Sequence, residues 1–537
     1  MAAPAEAISK ADDVISRTSR LFIDNQYVEA EGGRLPVLSP VDGKPFASIA
    51  HASARDVDRA VQSARRCFDH DCWPQQDVQA RVEILKRIAA ALRTPEATVT
   101  VAVIESRDCG KPFSESQGDL GVCADTFDYY AEVAPETMKT TYPSVGAGAT
   151  HFYARCITPW NFPLMQAVLK VAPALAAGCA VVLKPSPLAS LTCCALGELV
   201  AAAGAPPGAL NVITGGPPEV LEGGGSTGQY LIDHSMLDKV SFTGSGSAGQ
   251  KMLEASASKL RPTCLELGGK SAFIVFEAGT TERMNSPSNV MVGIFQCTGQ
   301  VCSATSRLLI HESLEAKLVE RLLEGIRSIK VGDPLQKGTL MGPVVSEGQQ
   351  QKVLGMIQQA EADGGKIHSV PLELPKELQQ GYYVPPTVLS NLPGPERGAE
   401  SSAAWKQEIF GPVLAIRSFR TEEEAIRLAN DTPYGLANAV WSADRARTQR
   451  VAAQLKSGVV WENCSQVLFP STPFGGRQVK TACKIVPKKR FGVYAATEAP
   501  SLDCYVMLRK SQGIQTQSRF LHAFSQSQPG RKIMTQQ

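Results

Sequence analysis

Three segments of this chain carry side chains whose types and setting could do covalent chemistry. Cys302 follows Gly299-Gln300-Val301, a small glycine turn at the end of a helix-like stretch, which would leave its thiol accessible. A lone cysteine is more often structural, and by count thirteen of the fourteen here should be. Leu265-Glu266-Leu267-Gly268-Gly269-Lys270 sets a carboxylate at a strand end before two glycines, a setting in which a partly buried Glu266 can act as a general base. Read alone, such a residue is more often a surface or ion-paired carboxylate. In Thr158-Pro159-Trp160-Asn161-Phe162-Pro163 two prolines brace a loop between strand and helix. The Asn161 amide held there can donate to a developing oxyanion, or simply cap the helix that follows.

A fourth segment points to a nucleotide. Gly244-Ser245-Gly246-Ser247-Ala248-Gly249 is a literal G-x-G-x-x-G after an expected strand and at the opening of an expected helix. Glycines there let the backbone approach a pyrophosphate at the positive end of a helix, although an ordinary Gly/Ser turn reads the same. The bare fingerprint would also recruit Glu266, farther along, to hold a ribose.

The elements that must position these residues follow an alternating grammar. Strands are expected at 180–183, 210–213 and 239–242, and helices at 188–203 and 248–260, which is the order of a parallel, doubly wound sheet. From Leu265 the alternation restarts, with strands at 271–276, 307–311 and 413–416 and helices at 315–329 and 422–430, and predicts a second α/β domain. The Gly- and Pro-rich stretch 215–228 and the poorly periodic 278–288 read as surface loops. After Gly476 the chain becomes a Lys-, Ser- and Gln-rich tail without clear periodicity.

Composition removes other classes. With 54 Lys+Arg against 52 Asp+Glu the net charge is +2, too balanced for nucleic acid to be the main partner. The most apolar stretch, 167–206, is broken by Lys170, Pro173 and Lys184, so no membrane span is expected. The first twenty residues lack the apolar core of a secretory signal. The cysteines show no CxxC pair and no metal-like pairing with the seven histidines, so neither a disulfide framework nor a metal site is expected, and the thiols suit a reducing compartment.

Taken together, Pro159-Trp160-Asn161-Phe162-Pro163, Leu183-Lys184-Pro185-Ser186, Phe242-Thr243-Gly244-Ser245, Glu266-Leu267-Gly268-Gly269-Lys270, Gly299-Gln300-Val301-Cys302 and Glu408-Ile409-Phe410-Gly411-Pro412 resemble the aldehyde dehydrogenase superfamily, in the family's order. Leu265 to Ser271, Val301 to Arg307 and Trp461-Glu462-Asn463-Cys464-Ser465-Gln466 are most similar to the plant-type betaine aldehyde or aminoaldehyde dehydrogenases. The resemblance implies an α/β fold of two doubly wound domains with a small β oligomerisation segment. It places the NAD(P)-binding domain at 20–265 with a bridging segment near 138–155, and the catalytic domain at 266–460. Residues 461–476 would return to the cofactor and oligomerisation region, leaving 477–537 as an atypical tail.

The resemblance also implies roles. Cys302 would be the nucleophile, Glu266 the base that activates water, and Asn161 with the Cys302 backbone N–H the oxyanion site. Lys184 would contact the adenosine ribose. Trp160, with Gly244, Ser245 and Gly249, would line the pyrophosphate turn, Leu267, Glu408 and Phe410 would face the nicotinamide and its ribose, and Thr158 would also contact the cofactor. The cofactor would be NAD or NADP, the partner a small aldehyde, and the assembly a homodimer or homotetramer if the tail permits. A cytoplasmic location is expected, with plastid or peroxisome also open.

Departures from the family pattern qualify this. Where NAD-preferring members carry a Glu three residues after the ribose-contacting Lys, this chain has Pro187, which opens NADP use. In the substrate pocket Leu169, Gln296 and Phe474 stand where tryptophans are usual, and Phe162 where tyrosine is, so the aromatic cage for a cationic aldehyde is thinned. After Gly475-Gly476 the usual Lys-x-Ser-Gly-x-Gly turn gives way to Arg477-Gln478-Val479-Lys480. A catalytically impaired binding or scaffold protein on the same fold is the competing reading. A dehydrogenase of CoA-linked semialdehydes fits less well, since Glu266 would then be idle.

Overall fold

The computed structural model describes residues 3–70, 73–138, 154–216, 226–277, 288–394, 401–472, 474–476 and 505–506. The chain opens with an antiparallel pair, β1 (Leu21–Ile23) and β2 (Gln26–Val28), followed by β3 (Arg34–Leu38) and β4 (Pro45–Ala50), which form a separate two-stranded ribbon. β5 (Ala154–Ile157), β6 (Val181–Lys184), β7 (Leu210–Val212), β8 (Lys239–Thr243) and β9 (Thr263–Glu266) complete a seven-stranded sheet ordered β2-β1-β7-β6-β5-β8-β9. From β5 to β7 the sheet grows one way and from β8 to β9 the other, so the direction reverses between β5 and β8. Such a reversal opens a crevice at the carboxyl ends of the strands, where ligands of doubly wound sheets bind.

The second sheet comprises β10 (Ala272–Val275), β11 (Arg307–His311), β12 (Lys366–Ser369), β13 (Thr387–Ser390), β14 (Val413–Phe419), β15 (Ala437–Trp441), β16 (Val459–Glu462) and the two-residue β17 (Tyr505–Val506). Its order is β12-β13-β14-β11-β10-β15-β16-β17, parallel except at the β12–β13 edge.

Local chemistry explains the boundaries. β6, Val-Val-Leu-Lys, is buried along its whole length, as a central parallel strand covered on both faces must be, and Pro185 ends it. The helix expected at 248–260 starts earlier, at Gly246, because the Ser245 hydroxyl accepts from the Ala248 N–H at 3.3 Å and caps it. It ends at Ala257, and Leu260 beyond it takes a left-handed φ of 50°. The helix expected from Leu188 starts at Leu191, after Pro187 and a short turn. The strand at 307–311 and the helix at 422–430 match their expected ranges.

The expected surface loop 215–228 is corrected at its described ends. Gly215, Gly216 and Thr227 are buried, and the Thr227 hydroxyl donates to the Ala52 carbonyl at 2.8 Å. The middle of that stretch, most of 278–288, most of the bridging segment and all of the tail but Tyr505–Val506 lie outside the described residues. No helix of the described residues is long and apolar enough to cross a membrane.

Candidate active site

The residues before Cys302 follow an unusual backbone path. The helix Ser288–Phe295 runs into a short tight turn in which Cys297 (φ 48°, ψ 34°), Thr298 (φ 55°, ψ 35°) and Gly299 (φ 72°) are successively left-handed. For non-glycine residues this conformation costs about 1–3 kcal/mol each and persists only where neighbours enforce it. Here the Cys297 N–H donates to Glu115 Oε2 at 2.8 Å and the Thr298 hydroxyl to the Gly342 carbonyl at 3.0 Å. Gln300 Nε2 returns to the Cys297 carbonyl at 3.1 Å, while its Oε1 accepts from the Val345 N–H at 3.0 Å. On the far side of the nucleophile candidate, Ser303 Oγ donates to Gln466 Oε1 at 2.7 Å and Gln466 Nε2 donates back to the Ser303 carbonyl at 2.9 Å.

Cys302 sits between these clamps. It and Cys464 are partly exposed, whereas the other nine described cysteines are buried, all eleven as free thiols. Burial pushes the Cys302 thiol up to about 12, and the carboxylates of Glu266 and Glu408 push the same way against backbone N–H groups of Ser303 and Cys302. The thiol therefore rests in its neutral form.

Asn161 is not a helix cap. Phe162 holds the cap position of the helix Pro163–Ala176 and makes no side-chain cap bond. Instead Asn161 is buried, and its Nδ2 donates to the Gln300 carbonyl at 2.6 Å, two residues before Cys302. A carboxamide nitrogen carries two hydrogens, so one remains to donate.

Glu266 ends β9, in register with Thr243 of β8, and is 4% exposed. Among the described residues neither carboxyl oxygen has a hydrogen-bond partner. Burial raises its pKa well above the usual carboxylate range, the nearby Cys264 adds to this, and Lys170 opposes it. The two glycines that follow permit close approach. A Cβ at Gly269 would lie 2.3 Å from the Cys302 carbonyl oxygen, and one at Gly268 would lie 2.1 Å from Glu408 Oε2. Glu408 Oε1 in turn accepts from the Gly269 N–H at 2.9 Å.

The crevice fits a dinucleotide. The helix Gly246–Ala257 presents its N-terminus after Gly244-Ser245, and Gly249 lies against Leu267 so closely that a Cβ there would meet the Leu267 side chain at 2.5 Å. Thr158 is buried with its hydroxyl unpartnered among the described residues, while its N–H donates to the Lys184 carbonyl at 3.2 Å. Lys184, at the end of β6, is buried and donates to the Pro185 carbonyl at 3.1 Å. Burial lowers it to about 8. Trp160 meets Phe410 edge-on, with ring centroids 5.2 Å apart. An unsatisfied hydroxyl, a buried ammonium and a helix N-terminus are what a phosphorylated ribose and its pyrophosphate would satisfy.

Of the pocket candidates, Phe162 is buried in the main core, with Leu169 and Phe474 packed on that core from its edge. Gln296 opens the tight turn before Cys302. Sequence reasoning missed the residues that hold the turn, Glu115, Cys297, Gln300 and Gln466, together with the buried Lys111 behind Phe162. A signal existed in Glu105, Asp108, Lys111, Glu115 and Asp119, which recur every three or four residues, but that spacing normally marks a solvated helix face.

The geometry brings a thiol, an amide donor and a buried carboxyl to the edge of a dinucleotide crevice, and residues 27–480 match the aldehyde dehydrogenase family. The chain belongs to that family, and is an NAD(P)-dependent enzyme that oxidises aldehydes. Among its relatives, the peroxisomal aminoaldehyde dehydrogenase 2 of Pisum sativum is 40% identical over 478 residues, covering 86% of this chain and 92% of that protein. Betaine aldehyde dehydrogenase 1 of Oryza sativa subsp. japonica is 40% identical over 472 residues, covering 85% and 90%. The crystal structure of betaine aldehyde dehydrogenase from Staphylococcus aureus in complex with NAD+ superposes with a TM-score of 0.81 at 31% identity, over 89% of this chain and 94% of that one. Nothing in these likenesses supports the scaffold reading.

Proposed function

We propose that Cys302, Glu266 and Asn161 carry the oxidation, and that the substrate is an amino- or aliphatic aldehyde, with betaine aldehyde a weaker one. The observation that carries this reading is the 2.6 Å bond from Asn161 Nδ2 to the Gln300 carbonyl, which couples the amide donor to the turn bearing Cys302. Cys302, as its thiolate, adds to the aldehyde carbon, and the oxygen takes the developing charge against the second Asn161 N–H and the Cys302 backbone N–H. Bound NAD(P)+ supplies the hydride acceptor that turns this thiohemiacetal into a thioester. Glu266, ionised, takes a proton from water, whose oxygen attacks the thioester and releases the carboxylic acid and the Cys302 sulfur.

Lys184, Thr158, Ser245 and the N–H groups opening the helix at Gly246 hold the dinucleotide in this reading, and Glu408 and Phe410 orient the nicotinamide end. Pro187 leaves the ribose without a nearby acidic acceptor, so NADP is used alongside NAD, with Lys184 facing the 2′-phosphate. Residues 20–265 serve as the cofactor domain and 266–460 as the catalytic one. The working unit is a homodimer or homotetramer. The names of the plant relatives, peroxisomal and chloroplastic, favour an organelle as much as the cytoplasm.

The test is cofactor reduction by purified protein with NAD+ and NADP+ separately, against betaine aldehyde, an ω-aminoaldehyde and a simple aliphatic aldehyde. Turnover with the last two exceeds that with betaine aldehyde, and Cys302→Ser abolishes turnover while leaving cofactor binding intact. Full turnover by Cys302→Ser would remove Cys302 from the nucleophile role.

A further inference from the structure

Behind the nucleophile turn lies a buried charged cluster that the mechanism above leaves unused. Lys111, 1% exposed, pairs with Asp119, lies 3.6 Å from Glu105 and sits 4.1 Å from the centre of the Phe162 ring. Four residues on, Glu115 is also buried, and its Oε2 accepts the Cys297 N–H at 2.8 Å. Cys297 then donates its Sγ to the Asn161 carbonyl at 3.3 Å. A single buried cysteine, five residues before Cys302, is thus the point where the charged cluster, the nucleophile turn and the loop of Asn161 meet. Burial raises its pKa well above the ordinary thiol range, so it keeps the hydrogen it donates.

We propose that Cys297 and Glu115 are positioning residues for aldehyde oxidation: Glu115 locks the backbone of Cys297, and the Cys297 thiol ties the oxyanion loop to the nucleophile turn. The physical need is the left-handed run Cys297-Thr298-Gly299, which has no intrinsic preference for this path and must be held from outside. Among the described residues, three hydrogen bonds to other elements do so, at the Cys297 N–H, the Cys297 Sγ and the Thr298 hydroxyl, before Gln300 takes over on Asn161 and Val345. Loss of either Cys297 contact lets Asn161 and Cys302 move relative to one another. A misplacement of about 1 Å between reacting groups lowers a rate by roughly 100-fold. The proposal rests on the reading of Cys302 as nucleophile and Asn161 as oxyanion donor.

The experiment compares Glu115→Leu with Glu115→Gln, and Cys297→Ala with Cys297→Ser, beside Cys302→Ser as control. Melting temperature, NAD+ affinity by fluorescence, and kcat and KM normalised to titrated active thiols are measured for each. Glu115→Leu should lower kcat by about 10- to 100-fold with NAD+ affinity unchanged, and Glu115→Gln, which keeps an acceptor, should return to within a few-fold of wild type. Cys297→Ala should lower kcat by roughly three- to tenfold, and Cys297→Ser, which keeps a donor, should restore it. A merely structural role would lower melting temperature and yield but leave kcat per active thiol untouched. If Glu115→Leu does not fold, the Cys297 pair decides alone, since it removes or replaces one sulfur. Wild-type kcat in Cys297→Ala, or equal impairment of the Ala and Ser variants, would overturn the proposal. Full activity of Cys302→Ser would instead overturn the reading of the site beneath it.

Discussion

Asn161 and Gln300 lie far apart in the chain, yet the Asn161 amide donates to the Gln300 carbonyl at 2.6 Å. That bond fixes the plane of the carboxamide. It aims the second N–H, and so separates a donor that is already in place from one that must reorganise during the reaction. Asn161→Ala should lower kcat by roughly 100- to 1,000-fold with cofactor affinity unchanged, because a preorganised oxyanion donor contributes on that scale. Steady-state rates and fluorescence titration of the cofactor check both halves, and a loss confined to KM would remove the oxyanion role.

The resting state of Cys302 predicts a pH dependence. Its folded-state pKa is raised to about 12 by burial and by Glu266 and Glu408, so the neutral thiol persists to higher pH than in an unfolded chain and the thiolate fraction grows through the whole alkaline range. In the cofactor-free enzyme, alkylation of Cys302 by iodoacetamide should accelerate about tenfold per pH unit between pH 7 and 9. Peptide mass spectrometry follows the modified cysteine. A rate that levels off below pH 9 would show that some group not accounted for lowers the thiol.

Much of this arrangement was legible in the sequence, and the boundary of what was not is physical. β6 is a buried, mostly apolar run ended by Pro185, and β8, Lys-Val-Ser-Phe-Thr, is buried along its length and ends before Gly244, so their existence follows from local pattern and bounding residues. Cys302, Glu266 and Asn161 each sit in a short segment braced by glycine or proline, which marks them as candidates, while their roles follow from the family resemblance of those segments taken together. Glu115, Cys297 and Gln466 act through long-range hydrogen bonds, and no local periodicity encodes such a partner. Glu105, Asp108, Lys111, Glu115 and Asp119 show the opposite failure. Their spacing was visible but suggests solvent exposure, whereas the helix Phe113–Met138 packs against Val78–Leu92 and Pro163–Ala176 and buries Glu115 and Asp119.

Glu266 must be ionised to act as a base, and its burial, with no partner on either oxygen among the described residues, holds the proton on well above the usual carboxylate range. The rate of acid release should therefore rise with pH across the neutral and alkaline range, the base being available only once that proton is lost. Glu266→Gln should keep the first burst of reduced cofactor while slowing the steady rate by at least about 100-fold, and should flatten the pH dependence of the steady phase. Stopped-flow absorbance of the reduced cofactor separates the phases. Equal loss of burst and steady rate would argue that Glu266 acts before thioester formation.

The substrate pocket can be tested by rebuilding its aromatic wall. Phe162 already has the Lys111 ammonium 4.1 Å from its ring centre, so one face of that ring is occupied by an internal cation. A cationic aldehyde competes poorly there, and Phe162→Tyr alone should change little. Gln296, at the start of the turn before Cys302, has no such engagement of an aromatic face to lose. Gln296→Trp should raise kcat/KM for betaine aldehyde by roughly 2- to 30-fold, the equivalent of the about 0.5 to 2 kcal/mol that one such contact contributes, while an uncharged aliphatic aldehyde of similar size gains far less. Equal gains for both aldehydes would mean that the tryptophan adds apolar surface rather than cation recognition, and no gain for either would place Gln296 outside the path of the substrate.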